Sequence, residues 1–197
     1  MDSISFPQLA LLSAVFLVVA ALFILLLFLN ERPRREALER LAKRFSGKAS
    51  WLFGTAQGAF QGTSFSVTLM PAGRNMPPRL LIRLSKGAPF SLRIYRESPW
   101  CGSAKKLGIV REVRINDSSI DNKLLIYSNR PVQAVQFLSV PTKNILRELF
   151  SEGFGSFRVD EHAVSVLKAN YALDRDLAPE RVEQLLRKII STVGGPG

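Results

Sequence analysis

The side chains best able to do chemistry are few. One cysteine, Cys101, and one histidine, His162, occur in 197 residues. A thiolate–imidazole nucleophile would need that one pair to meet, and neither residue sits in a flanking signature of such sites. A lone cysteine excludes an intramolecular disulfide and any zinc site built on two thiolates, and a lone histidine excludes His-rich sites. The close carboxylates are Asp117 with Asp121, Asp160 with Glu161, and Asp174 with Asp176. The loop Asn116-Asp117-Ser118-Ser119-Ile120-Asp121-Asn122 offers oxygens to a hard cation but lacks the EF-hand rhythm and its closing glutamate. A turn whose Asn, Asp and Ser bond their own backbone accounts for it equally well. Asp174 and Asp176 precede the last helical stretch, where negative charge suits the N-terminal dipole. Gly54-Thr55-Ala56-Gln57-Gly58 has no GK[ST] ending and reads as turn or bulge glycines, and no GxSxG or HExxH occurs. No catalytic, cofactor-binding or metal-binding residue is assigned, and the chain is expected not to be an enzyme.

Cationic side chains are the more suggestive set. The net charge is +11, and its placement is uneven. Residues 30–48 carry seven Lys/Arg against three Glu, residues 49–150 fourteen against five, and residues 151–197 six against seven. Arg79, Arg83, Arg93, Lys105, Lys106, Arg111, Arg114 and Lys123 are expected on the solvent face or rim of a sheet. Trp100, in Ser98-Pro99-Trp100-Cys101-Gly102, adds an aromatic beside Lys105-Lys106. That pairing suits an anionic lipid headgroup layer. A solvated cationic surface with no partner is the plainer reading. Nucleic acid is not expected, since neither an RNP-like nor a helix-turn-helix pattern is present.

The elements that would carry these residues begin with an anchor. Residues 9–29 hold Ser13 as their one polar side chain. As a helix they span roughly 31 Å, against a hydrocarbon core of about 30 Å. Residues 1–8 lack Lys and Arg and the apolar run ends in Leu-Phe-Leu-Asn, so a retained transmembrane helix is expected rather than a cleaved signal. On the far side follow Arg32, Arg34, Arg35, Arg40, Lys43, Arg44 and Lys48. The positive-inside rule then puts residues 1–8 outside and the rest in the cytoplasm. Residues 30–48 read as a basic juxtamembrane linker with an amphipathic helix over 36–45. Its Ala37, Leu38, Leu41 and Phe45 suit packing on a sheet, and its cations would also suit anionic lipid. Pro33 is expected to break continuity with the anchor or to mark a first turn.

Residues 49–193 read as an α+β domain, with 194–197 a frayed tail. Apolar and polar residues alternate around Phe65-Val67-Leu69, Leu80-Ile82-Leu84 and Phe90-Leu92-Ile94, and strands are expected at 109–115 and 123–128. Pro71-Ala72-Gly73, Gly87-Ala88-Pro89 and Asn116-Asp117-Ser118-Ser119 supply turns between them. Helices are expected over 131–138, 142–150 and 179–193, and a strand pair over 157–161 and 163–171. The expected fold is a mainly antiparallel sheet with helices packed on one face, including a C-terminal helix.

The segments 41–45 and 108–112, then Asp117-Ser118-Ser119-Ile120-Asp121, 124–128 with Pro131 and Ala134, Gly153-Phe154, and Asp176-Leu177 with Pro179-Glu180 resemble those of a set of bacterial single-pass membrane-anchored proteins. No activity is established for that set. The resemblance covers most of 38–193 and implies a bacterial inner-membrane setting and a cytoplasmic α+β domain; it carries no functional residue across. Three readings follow. The first is a non-enzymatic interaction or scaffold module tethered through residues 9–29, with an unknown protein partner. The second is a membrane-surface domain that binds anionic lipid headgroups or senses the membrane surface. An enzyme of unknown type is the third.

Overall fold

The computed structural model describes residues 6–96 and 113–194, with side chains described at 15–22 and from residue 31 onward within those ranges. The chain opens with one long helix, α1 (Phe6–Arg44). Five strands follow: β1 (Lys48–Ser50), β2 (Thr55–Phe60), β3 (Thr63–Met70), β4 (Arg79–Leu84) and β5 (Leu92–Arg96). After residue 112 come a short helix α2 (Ser118–Asp121), β6 (Leu124–Ser128), α3 (Pro131–Phe137), α4 (Val140–Ser151), β7 (Phe154–Val159), β8 (Val164–Ala169), α5 (Leu173–Asp176) and α6 (Pro179–Val193). The eight strands form one sheet in the order β1-β2-β3-β4-β8-β7-β5-β6, and every neighbouring pair is antiparallel. The fold is therefore mixed α+β with an antiparallel sheet and a C-terminal helix.

Period-two alternation decides which face is covered. Phe65, Val67 and Leu69 of β3, Leu80, Ile82 and Leu84 of β4, and Val164 and Val166 of β8 are buried on one face. Against them pack Leu38, Leu41 and Phe45 at the end of α1, Leu146 and Leu149 of α4, and Val182, Leu185, Leu186 and Ile189 of α6. The apolar stripe of α6 repeats every three or four residues, as a helix lying on a sheet requires.

Three expectations are corrected. Pro33 does not interrupt the helix but lies inside α1. It removes one backbone hydrogen bond, a loss that burial of Ala37, Leu38, Leu41 and Phe45 over the next three turns offsets. Residues 116–119 are more than a turn, because Asp117 caps α2 by accepting from the Ser119 N–H. β2 is a strand over residues read as turn or bulge glycines, and β1 is a strand that was not expected. Gly58 lies within β2, and a Cβ there would sit 2.8 Å from that of Phe45. Of the expected strand 109–115, residues 109–112 lie outside the described residues. Val113 to Ile115 form no regular strand, although the Val113 N–H donates to the Ile126 carbonyl at 2.8 Å. Among the residues described with side chains, no helix is long and apolar enough to cross a membrane; of residues 9–29, those are 15–22.

Candidate functional site

The opposite face of the sheet carries the charge. No strand among the described residues contains Asp or Glu, while Lys48, Arg79, Arg83, Arg93, Arg96, Arg158 and Lys168 all lie on strands. Two of these belong to the helix side. Lys168 shares the inward parity of Val164 and Val166, is buried, and donates to Asp176 at 2.9 Å. Arg96 donates to the Phe150 carbonyl at the end of α4. The remaining five stand on the open face.

Register aligns four of them, Lys48 through Gln57 and Ser66 with Arg83, and three of these stand close together. Arg83 pairs with Ser165, Ser165 with Arg158, and Arg158 with Arg93, so one cross-strand row runs Arg83–Ser165–Arg158–Arg93 and ends on Tyr127. Strands lie about 4.8 Å apart. Arg158 and Arg93 are therefore nearest neighbours, and Arg83 stands about 10 Å from Arg158. All three arginines are exposed, and among the described residues none has a carboxylate partner. Like charges placed directly opposite each other destabilise a sheet. Tyr95 is set diagonally to the row. The Arg158 guanidinium lies 5.5 Å from its ring centroid, and the Tyr127 ring centroid lies 6.3 Å away. The row thus offers bidentate donors flanked by aromatic surface, an arrangement that recognises carboxylates or phosphates.

Arg83 and Arg93 are brought together by the fold; the other expected contacts divide. Arg79 stands at the start of β4 with its Nε buried and unbonded among the described residues. Arg114 is exposed between buried Val113 and Ile115. Trp100, Lys105, Lys106 and Arg111 lie outside the described residues, as does Cys101. Arg158, Tyr95 and Tyr127 were missed, although the alternation of Phe157-Arg158-Val159 already sets Arg158 outward.

Along α1 the juxtamembrane cations are largely matched. Arg32 bonds Glu36 at 2.8 Å, Arg34 bonds Glu31 at 2.9 Å, and Arg35 bonds Glu39 at 2.8 Å. Arg44 reaches Glu183 of α6 at 3.1 Å, Arg40 lies 3.9 Å from Asp174, and Lys43 is exposed. Hydrogen bonds from Arg187 and Arg44 draw the Glu183 carboxyl below its ordinary range.

The carboxylates considered for a cation are otherwise engaged. Asp117 accepts from the Ser119 hydroxyl at 2.6 Å and from Arg147 at 2.8 Å, with Lys143 at 3.7 Å. The Ser119 bond, aided by Arg147, holds its carboxyl below the usual range. Asp121 accepts from the backbone N–H groups of Ile115 and Asp117. Asp160 accepts from those of His162 and Ala163, closing the β7–β8 turn.

No family model matches the sequence, and no curated protein matches it. Among solved structures, the crystal structure of the mycobacterial trehalose monomycolate transport factor A is similar. It has a TM-score of 0.51 at 10% identity, over 83% of this chain and 95% of that one. At that identity the likeness concerns the fold alone.

Proposed function

We propose that the protein is a non-enzymatic interaction module, anchored in the bacterial inner membrane by residues 9–29, whose open sheet face takes an acidic surface of a partner protein in the cytoplasm. The observation that carries this reading is the row Arg83–Arg158–Arg93, three exposed guanidiniums in register on a sheet whose strands contain no carboxylate. A cross-strand pair of like charges costs stability, and an anionic partner relieves that cost.

The anchor is supported by α1 itself. Val15, Phe16, Leu17, Val18, Val19 and Leu22 point to all sides of the helix and are exposed. Hydrocarbon is the medium that covers such a surface. The neighbouring structure's description as a transport factor is in keeping with a membrane-associated role that is not catalytic. An alternative reading lays the basic face on anionic lipid. The direction of β3 favours a protein: Phe65 packs at Phe45, while the Leu69 carbonyl accepts from Arg34, eleven positions back along α1. The strands therefore run along the helix, and with the helix upright the open face looks sideways rather than down.

A photoreactive amino acid at Ser165, between Arg83 and Arg158, tests the reading in intact membranes. A defined protein adduct that disappears in R83E/R93E/R158E and weakens at high salt is expected. An adduct with lipid alone, or a protein adduct indifferent to the three reversals, overturns it.

A further inference from the structure

Among the described residues, the β1–β2 connection holds the one run of three consecutive exposed large apolar residues outside α1. Trp51, Leu52 and Phe53 follow one another there at 53%, 72% and 77% exposure. In a water-facing turn three consecutive large apolar residues are unfavourable, and turns ordinarily carry polar residues or glycine. The turn is nonetheless well built. The Gly54 N–H donates to the Trp51 carbonyl at 3.1 Å, and Gly54 has a φ of +59°. A Cβ at Gly54 would lie 2.8 Å from the Leu69 carbonyl oxygen. The backbone is held so as to display these side chains.

Two hydrogen bonds locate the turn along α1. The Leu69 N–H donates to the Gly54 carbonyl at 2.7 Å, and the Leu69 carbonyl accepts from Arg34 at 3.5 Å. Arg34 stands five positions after Leu29, or about 7.5 Å along a helix. A headgroup layer is about 5–7 Å thick, from the difference between total and hydrocarbon thickness. Leu52 and Phe53 belong to the turn past Gly54, at the end of the sheet where Leu69 meets Arg34. The β3–β4 loop emerges at this same end and brings Arg74 and the exposed Met76. Aromatic and aliphatic side chains at the same end of the sheet as Arg34 and Arg74 match the composition of a membrane–water interface.

We infer that the Trp51-Leu52-Phe53 turn is a second membrane contact, inserted into the headgroup layer of the leaflet that α1 leaves, where it fixes the domain's rotation about the anchor. This inference stands on the anchored reading above and adds a site to it. One helix leaves a domain free to turn about its axis; a second contact off that axis removes the freedom and sets where the arginine row looks.

The test uses the full chain with Trp100→Phe, so that Trp51 is the one indole, reconstituted into vesicles containing lipids brominated at shallow or deep acyl positions. The expected result is a blue-shifted Trp51 emission that shallow bromines quench more than deep ones. Leu52→Ser/Phe53→Ser should red-shift the emission and abolish the quenching while the protein still resists alkaline carbonate extraction. Trp51 emission that stays water-like and unquenched, in protein that resists extraction, overturns the second contact and leaves the anchor standing. Release of the unsubstituted chain by carbonate removes the anchor, and the second contact with it.

Discussion

The ammonium of Lys168 donates to the Asp176 carboxylate at 2.9 Å, with both side chains buried between the sheet and α5. The carboxylate also accepts from the Ala172 N–H and from Arg175, so its oxygens are fully engaged. The ammonium lies 5.6 Å from the ring centroid of Phe154. Lys168 is one of two strand cations, with Arg96, that strand parity turns toward the helices, and Asp176 neutralises it there. Among the described residues, the arginines of the open face have no carboxylate partner.

Breaking that pair from one side should be costly. Asp176→Asn leaves a buried ammonium without a counter-charge, and chemical denaturation should register a loss of about 3–5 kcal/mol. Lys168→Met/Asp176→Leu should recover most of it, since replacing both partners with apolar groups leaves no unpaired charge.

Acid should act through the same carboxylate. Burial pushes the Asp176 carboxyl up, but the bonds from Arg175, Lys168 and the Ala172 N–H outweigh it and hold the group below its ordinary value of 3.8. A carboxyl depressed in the folded state contributes stability that is present above that ordinary value and is lost as pH falls through the lower, folded one. Denaturation midpoints measured as a function of pH should therefore fall on the acid side, and Asp176→Asn should flatten that limb while lowering the plateau.

The seat of α1 on the sheet depends on Gly58. A methyl group there would lie 2.8 Å from the Phe45 Cβ and 3.1 Å from the Phe65 ring. Gly58→Ala should cost about 1–3 kcal/mol by overpacking. Gly62→Asn is the control, since a Cβ at Gly62 meets nothing within 4 Å and asparagine tolerates its φ of +75°. Thermal melts should separate the two variants clearly.

How much of this could be read from residues alone depended on how strongly burial writes a pattern. β3 and β4 alternate over six or more residues between a dry and a wet face, so their existence and inward sets were legible. β1 has three residues and β2 is Thr-Ala-Gln-Gly-Ala-Phe, too short or too small-sided to alternate visibly; their place is fixed by Phe45 filling the space above Gly58. Arg83 and Arg93 were legible as outward residues, but their alignment with Arg158 was not. That alignment depends on β8 and β7 entering between β4 and β5, a non-local pairing with no local signal. Asp176 looked like a helix-dipole residue because its partner, Lys168, is recognisable only by inward parity on β8. Trp51-Leu52-Phe53 has the composition of a core segment, and only the hairpin geometry turns it outward.

α1 runs unbroken through Pro33 from the apolar segment into the domain core, so that on the anchored reading proposed above it would serve as a strut as well. Electron–electron distance measurement between spin labels at Val18→Cys and Arg40→Cys, in a Cys101→Ser background reconstituted in vesicles, tests it most directly. Both positions are exposed on α1, and a continuous helix separates their backbones by about 33 Å. A single narrow distribution near that distance is predicted. A broad distribution, or one centred well below it, would show a hinge at Pro33 and contradict the strut.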